Sequence, residues 1–124
     1  MHNKPHLDQF LKKEKEHKYK AQRTTIDGIT FDSKAEANRY WELKMLQRAG
    51  KIQKLELQPE FELVPGLRWN GKKLRTIKYR ADFRYIEDGI EIVEDVKGML
   101  TKEYKIKRLL FLNQYPQYKF IETK

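Results

Sequence analysis

The chain has 124 residues, which is enough for one domain with a hydrophobic core and too few for two. Its 27 Lys and Arg outnumber 18 Asp and Glu, and the net charge of +9 predicts a polyanionic partner. Cysteine is absent and all three histidines precede residue 20, so zinc–thiolate sites and imidazole chemistry in the rest of the chain are excluded. With no membrane-spanning apolar run and no visible signal peptide, we expect a cytoplasmic protein without a membrane partner.

The first part of the chain is predicted to hold a tail and a small strand. Residues 1–23 are polar and basic, which predicts a flexible tail ahead of a single domain at 24–124. An arm that grips DNA is the alternative interpretation of this tail. The Asp27-Gly28 turn between β-prone pieces predicts a short hairpin or strand.

A capping-box spacing marks the first helix. Ser33 and Glu36 lie three residues apart, which predicts that the helix begins at Asp32 or Ser33. It is expected to run to about Ala49 and to stop at Gly50. Its apolar residues spread around much of the circumference, so we expect the helix to be covered on more than one side.

Strands are predicted between this helix and the centre of the chain. Residues 52–64 have the pattern of one or two strands interrupted at Gln58-Pro59. Asn70-Gly71 predicts a further turn, which leads into the central strand.

A long β-hairpin is predicted at the centre of the chain. Apolar residues occupy the odd positions from Ile77 to Tyr85 and charged residues the even ones, which is the alternation of a half-buried strand. Asp88-Gly89 predicts a tight turn. In that register, paired residues have numbers that sum to 177.

This register places two carboxylates, Asp82 and Asp95, directly opposite each other. Like charges on opposed residues are destabilising, so we expect a hard cation such as Mg²⁺ between them. Lys97 lies two residues beyond Asp95 on the same face, where it can orient the attacking water or the phosphate. An Asp followed by Asp-x-Lys on the next strand is typical of hydrolases that act on phosphodiesters. Ordinary ion pairing with Arg80, Arg84 and Lys97 is the alternative.

Glu94 competes with Asp95 for the role of second ligand. On strict alternation it shares the face of Ile92 and Val96, where a charge is costly unless it is paired. Glu94 is therefore either a core carboxylate bonded to a basic or tyrosyl group, or a replacement for Asp95 if the strand bulges. We favour Asp95, because it keeps the acid and Lys97 on one face.

A second helix and a last strand complete the predicted order. The helix is expected at about 102–113, with a core stripe of Ile106, Leu109 and Leu110, and the strand at 118–122. The order β-α-β-β-β-α-β predicts an α/β or α+β fold with a central mixed sheet flanked by helices.

Basic residues form two clusters beside the proposed site. Seven Lys and Arg lie from Arg68 to Arg84 and five from Lys97 to Arg108, with one acid in each stretch. A DNA path and a plain solvated surface explain them equally well. Trp69 is either a core aromatic or a residue that stacks on a base. The candidate DNA contacts are Lys72, Lys73, Lys78, Arg80, Arg84, Lys102, Lys105, Lys107 and Arg108.

Several motifs in this order resemble the PD-(D/E)XK nuclease superfamily. The resemblance covers about Ile26 to Leu112 and is similar to a small phage-borne endonuclease family, to transposon-end endonucleases and to phage Holliday junction resolvases. Its motifs are Ser33-x-x-Glu36, Tyr79-Arg80-Ala81-Asp82-Phe83, Glu94-Asp95-Val96-Lys97-Gly98 and the Lys-rich second helix.

The resemblance implies a restriction-endonuclease-like core and roles for four site residues. Glu36 would contact a metal directly or through water, and Asp82 and Asp95 would be its ligands. Lys97 would lie near the attacked phosphate, and hydrolysis would leave 5′-phosphate ends. The basic residue that joins the site from the second helix would be Lys105 or Lys107.

Two residues depart from the usual pattern of that superfamily. Ala81 stands where proline often precedes the first acid, and Asp95 stands where Glu is commoner.

From the motifs together we predict a Mg²⁺-dependent DNA endonuclease, with Mn²⁺ as an alternative ion, acting on branched DNA as a homodimer. If the chain is phage-encoded, the compartment is the host cytoplasm. The alternative is a non-catalytic basic nucleic-acid-binding protein, which the opposed acids argue against because they repel phosphate.

Overall fold

A computed structural model describes residues 23–124 of the chain. The predicted basic tail lies outside the described residues, apart from Arg23. In chain order the elements are β1 (Thr24–Ile26), β2 (Ile29–Phe31), α1 (Lys34–Arg48), β3 (Gln53–Leu57), β4 (Glu60–Val64), β5 (Leu67–Trp69), β6 (Lys72–Leu74), β7 (Ile77–Arg80), β8 (Phe83–Glu87), β9 (Ile90–Val96), α2 (Lys102–Gln114) and β10 (Lys119–Thr123).

The chain divides into two compact units, with the boundary after Trp41 inside α1. In the first unit, β1 and β2 form the predicted antiparallel hairpin around Asp27-Gly28. The Phe31 ring packs 5.0 Å from the Tyr40 ring. Both rings are buried, so the end of the hairpin packs on the first half of α1.

Helix α1 begins and ends close to where its caps predict. The Ser33 hydroxyl accepts the backbone N–H of Glu36 at 3.0 Å, as a capping box requires. Gly50 follows the helix with φ of 78°, the left-handed conformation that ends many helices. The expected cover on more than one side is wrong at Trp41, which is 53% exposed.

The second unit is built on a four-stranded mixed sheet in the order β10-β9-β8-β3. Strands β9 and β10 are parallel, and the other two pairs are antiparallel. The predicted α+β class with a mixed sheet is confirmed. Gln58-Pro59 separates β3 from β4, as the sequence indicates.

The central hairpin has the predicted register. Strands β8 and β9 pair Tyr85 with Ile92 and Phe83 with Glu94, each summing to 177. The prediction of one continuous strand from Ile77 to Tyr85 is wrong, because the chain breaks between β7 and β8. There it changes partner: β7 pairs with β4, whereas β8 pairs with β3 and β9.

The core beside α2 is largely aromatic. The Phe111 ring lies 4.9 Å from Phe61 and 5.3 Å from Tyr79, in tilted or edge-on contacts. Leu110, Tyr115, Tyr118 and Phe120 pack around the buried group. The buried members of this cluster are Phe61, Leu63, Tyr79, Ala81, Val93, Tyr104 and Phe111.

Two of the three predicted core positions of α2 are wrong. Ile106 and Leu109 are each 61% exposed, whereas Tyr104 and Phe111 are buried. The aromatic pair lies two turns apart on one face, and the larger area it buries determines which side of the helix meets the sheet. No helix between residues 23 and 124 is long and apolar enough to cross a bilayer.

Replacing a buried and an exposed residue of α2 tests this orientation. We expect Phe111→Ala to lower the free energy of unfolding by about 3–5 kcal/mol, because it opens a cavity in the core. Leu109→Ala is the matched control and should change it by less than about 0.5 kcal/mol. Urea unfolding followed by circular dichroism measures both, and similar losses for the two variants would contradict the orientation.

Candidate metal and phosphate site

The break between β7 and β8 positions Asp82. At the break the Ala81 N–H donates to the Pro59 carbonyl at 3.1 Å, and the Asp82 N–H donates to the Glu94 carbonyl at 3.2 Å. The Asp82 carboxylate Oδ2 accepts the backbone N–H of Val96 at 2.7 Å. Asp82 is therefore fixed against the end of β9 by main chain on both sides.

Asp95 presents a fully buried carboxylate to the same place. Its Oδ2 accepts the hydroxyl of Tyr79, and its Oδ1 lies 3.6 Å from the Lys97 ammonium. Among residues 23–124, Oδ1 has no hydrogen-bond partner. A buried carboxylate oxygen with unused lone pairs is costly, and it suits a hard cation.

Asp82 and Asp95 interact strongly. Burial raises the pKa of Asp95, and hydrogen bonding and repulsion from Asp82 raise it further, to about 8. The Tyr79 hydroxyl and the Lys97 charge lower this pKa without cancelling the rise. At neutral pH Asp95 therefore keeps a proton that a metal ion would displace. The two acids interact through their side chains and are not ladder partners, because Asp82 falls in the break between β7 and β8.

Two carboxylates could hold a metal ion only if water or a bound phosphate completed its coordination. In the described part of the chain no group of three or more His, Cys, Asp or Glu could hold a metal ion. Mg²⁺ is usually held by one or two carboxylates, with water and phosphate oxygens completing its octahedron. Asp82 and Asp95 would supply those two ligands.

Lys97 leaves the sheet at the end of β9 and is only partly exposed. Its backbone N–H donates to the Thr123 carbonyl at 2.8 Å, which extends the β9–β10 pairing by one residue. Its ammonium lies 4.5 Å from the centre of the Tyr104 ring, within cation–π range. Tyr104 and Asp95 together hold the amine beside the carboxylate pair.

Two tyrosines support the site, and the sequence reasoning missed both. Burial, followed by the charge of Asp95, raises the pKa of Tyr79, so its hydroxyl stays a donor. Burial and a 2.5 Å bond to Glu122 raise the pKa of Tyr104 in the same way. Burial would raise the pKa of Glu122, but bonds from Tyr104 and Arg108 outweigh it and lower that pKa. The feature of the sequence that could have indicated these two residues is a tyrosine hydroxyl next to a charged neighbour.

A cleft of about 390 Å³ opens next to Tyr79 and Lys97. Four cationic side chains line it, and two acids, Glu60 and Glu103, share its wall. The excess of positive charge makes the cleft suitable for a phosphate group. The four cationic residues are Lys78, Arg80, Lys97 and Lys107.

The other predicted DNA contacts are placed differently. Arg84 forms an ion pair with Glu56 and donates a hydrogen bond to the Tyr118 hydroxyl. Arg108 forms an ion pair with Glu122. Both guanidinium groups therefore stabilise the fold. The remaining four predicted contacts are exposed on α2 or on the β5–β6 hairpin. They are Lys72, Lys73, Lys102 and Lys105.

Glu94 is a core carboxylate. Its Oε1 accepts the Tyr85 hydroxyl at 2.6 Å, and its Oε2 accepts the Thr123 hydroxyl at 3.0 Å. The tyrosyl-bonded alternative is therefore correct, and Asp95 remains the better second ligand because its Oδ1 is available.

Glu36 belongs to the first compact unit, in the first turn of α1. Its side chain is buried. Its role as a metal ligand stays a prediction from the sequence.

A family model described as a protein of unknown function, DUF1064, matches residues 16–123. The chain belongs to the DUF1064 family. No curated protein matches it. The matched range includes Asp82, Asp95 and Lys97, so the carboxylate pair and its lysine lie within the DUF1064 domain.

The stability of this DUF1064 domain should depend on pH through Asp95. Its folded pKa of about 8 lies above the unfolded value near 4, so the folded state binds the extra proton. The contribution of Asp95 to the free energy of unfolding is then fully present below about pH 4 and is lost as the pH rises through 8. In EDTA, Asp95→Asn should remove this loss, on the order of a few kcal/mol at about 1.4 kcal/mol per pKa unit.

Chemical denaturation of both proteins from pH 4 to pH 9 measures the effect. Asp88→Asn, in the exposed turn of the same hairpin, is the matched control and should follow the parent. Parallel curves for the parent and Asp95→Asn would show that Asp95 is ionised throughout, contrary to its environment.

Proposed function

We propose that this DUF1064 protein is a Mg²⁺-dependent DNA endonuclease that hydrolyses phosphodiester bonds. The observation that carries the proposal is the contact of two acids, Asp82 and buried Asp95, beside the ammonium of Lys97 and next to a basic cleft. A protein that only bound nucleic acid would gain nothing from an acid pair here, because a carboxylate charge such as that of Asp82 repels phosphate.

The role of each site residue follows from its position. Lys97 donates hydrogen bonds to a non-bridging phosphate oxygen and stabilises the charge that develops as water attacks phosphorus. Tyr79 keeps the Asp95 carboxylate oriented through its hydroxyl. Mg²⁺ bound by Asp82 and Asp95 would polarise the phosphate and lower the pKa of the attacking water.

The substrate reaches Lys97 and the carboxylate pair through the cleft. Lys78 and Arg80 lie on β7, and Lys107 lies on α2, so cations approach the cleft from two elements. Backbone phosphates on either side of the cleaved bond would contact them and release counterions. These contacts recognise the phosphate backbone and carry no sequence information.

The resemblance to phage resolvases extends this proposal to branched DNA, to a homodimer and to the cytoplasm. The exposed Ile106 and Leu109 on α2 offer a dimer an apolar surface. The alternative, a non-catalytic nucleic-acid-binding protein, predicts DNA binding with no metal-dependent cleavage.

Charge-removing variants separate chemistry from binding. Asp82→Asn should lower the Mg²⁺-dependent nicking rate at least about 100-fold and leave DNA affinity in EDTA equal or higher, because a repulsive charge is gone. Asp95→Asn should lose cleavage with little change in affinity, since its carboxyl is already protonated. Lys97→Ala should lose cleavage and bind slightly more weakly.

The measurement pairs a gel shift in EDTA with plasmid nicking in Mg²⁺ on the same preparations. Asp88→Asn removes the same charge from the turn of this hairpin and should cut like the parent. If Asp82→Asn cuts as fast as the parent, Asp82 is structural and the proposed enzyme is wrong. If the parent binds four-way, flapped, nicked and linear DNA but cuts none of them in Mg²⁺ or Mn²⁺, the alternative function is correct.

A further inference from the structure

The β5–β6 hairpin presents side chains that the fold does not use. Within the described residues its two strands form a sheet of their own, and all six of their residues are exposed. Trp69 is 60% exposed, so the interpretation of this residue as a core aromatic is wrong. A large aromatic left in water on a regular strand needs an explanation outside the core.

The register sorts the hairpin into two chemically different faces. Cross-strand partners share a face, and Trp69 is paired with Lys72. One face carries Leu67, Trp69, Lys72 and Leu74, and the other carries Arg68 and Lys73. An aromatic and a cation therefore stand side by side on the first face.

The hairpin has a fixed shape. Asn70 and Gly71 have φ of 51° and 73°, the left-handed conformations of a tight two-residue turn. At the base, the Gly66 N–H donates to the Thr76 hydroxyl at 3.1 Å. A Cβ at Gly66 would lie 2.3 Å from the Leu74 carbonyl oxygen, so only glycine allows this close approach. Trp69 is thus presented by a defined scaffold.

The charge around Trp69 has one sign. Between Leu63 and Ala81 the chain has six Lys and Arg and no Asp or Glu. Four of these cations, Arg68, Lys72, Lys73 and Arg75, belong to the hairpin or follow it directly. Such a surface is complementary to a polyanion, and the exposed ring can stack on the bases of a polyanion that carries them.

We propose that the β5–β6 hairpin binds unpaired bases of DNA by stacking a base on Trp69, with Lys72 contacting the adjoining phosphate. Base faces are covered by their neighbours in a continuous duplex, so an aromatic on a hairpin can stack only at single-stranded stretches, ends or branch points. The inference rests on the proposed action on DNA. It assigns this protein a substrate with unstacked bases and names the residue that selects it.

Tryptophan fluorescence in EDTA tests the stacking directly. The chain has two tryptophans, so Trp41→Phe leaves Trp69 as the only reporter. Titration with single-stranded oligo-dT should quench this emission to saturation. A blunt duplex of the same length should quench it much less.

Affinity measurements identify the residue responsible. By fluorescence anisotropy of labelled DNA in EDTA, Trp69→Ala should lower the ratio of single-strand to duplex affinity about 5- to 100-fold, as expected for one lost stacking contact. Trp69→Phe should keep most of the ratio. Trp41→Ala removes the other exposed tryptophan and is the matched control, which should leave the ratio unchanged.

Several results would overturn the inference. They are an unchanged affinity ratio for Trp69→Ala, no quenching by oligo-dT, or tighter binding of the Trp41→Phe protein to anionic phosphatidylserine vesicles than to oligo-dT, which would make the hairpin a membrane-surface element. All of these assays omit metal. Cleavage of DNA with no role for Trp69 would therefore overturn this inference alone, whereas Trp69 stacking in a protein that never cleaves would overturn the proposed function alone.

Discussion

The change of partner at Ala81-Asp82 is the constraint on which the rest of the second unit depends. The chain leaves its pairing with β4, and within two residues it is paired with β3 and β9. The main chain at this point bonds to the carbonyls of Pro59 and Glu94, and the Asp82 side chain accepts the Val96 N–H. A short non-strand segment is thus fixed from both sides and carries its carboxylate to the end of β9.

That placement costs stability, which is common at functional sites. A buried acid with one unpaired oxygen beside a second acid is a local conflict that a larger apolar residue would remove. Tyr79, Lys97 and the network behind Tyr104 hold the pair in place without neutralising it fully. In our account the conflict is retained because a metal ion and a phosphate resolve it when the substrate is bound.

Local features of the fold could be predicted from the sequence, because they depend on neighbouring residues. The Ser33 cap, the Asp88-Gly89 register and the tyrosyl-bonded interpretation of Glu94 follow from spacing and alternation.

Long-range features could not be predicted. Strict alternation places Tyr79 and Phe83 on one face. In the structure Tyr79 belongs to the same buried cluster as Val93, whereas Phe83 pairs with Glu94. Because Val93 and Glu94 are neighbours on β9, they lie on opposite faces of the sheet. The backbone N–H groups at the break donate to the carbonyls of Pro59 and Glu94, which are distant from Tyr79 in the sequence.

The most direct test of the carboxylate pair is anomalous diffraction from crystals of the protein grown with Mn²⁺. We predict one peak bonded at about 2 Å to oxygens of both Asp82 and Asp95. A peak held elsewhere, or no peak beside the two carboxylates, would contradict it.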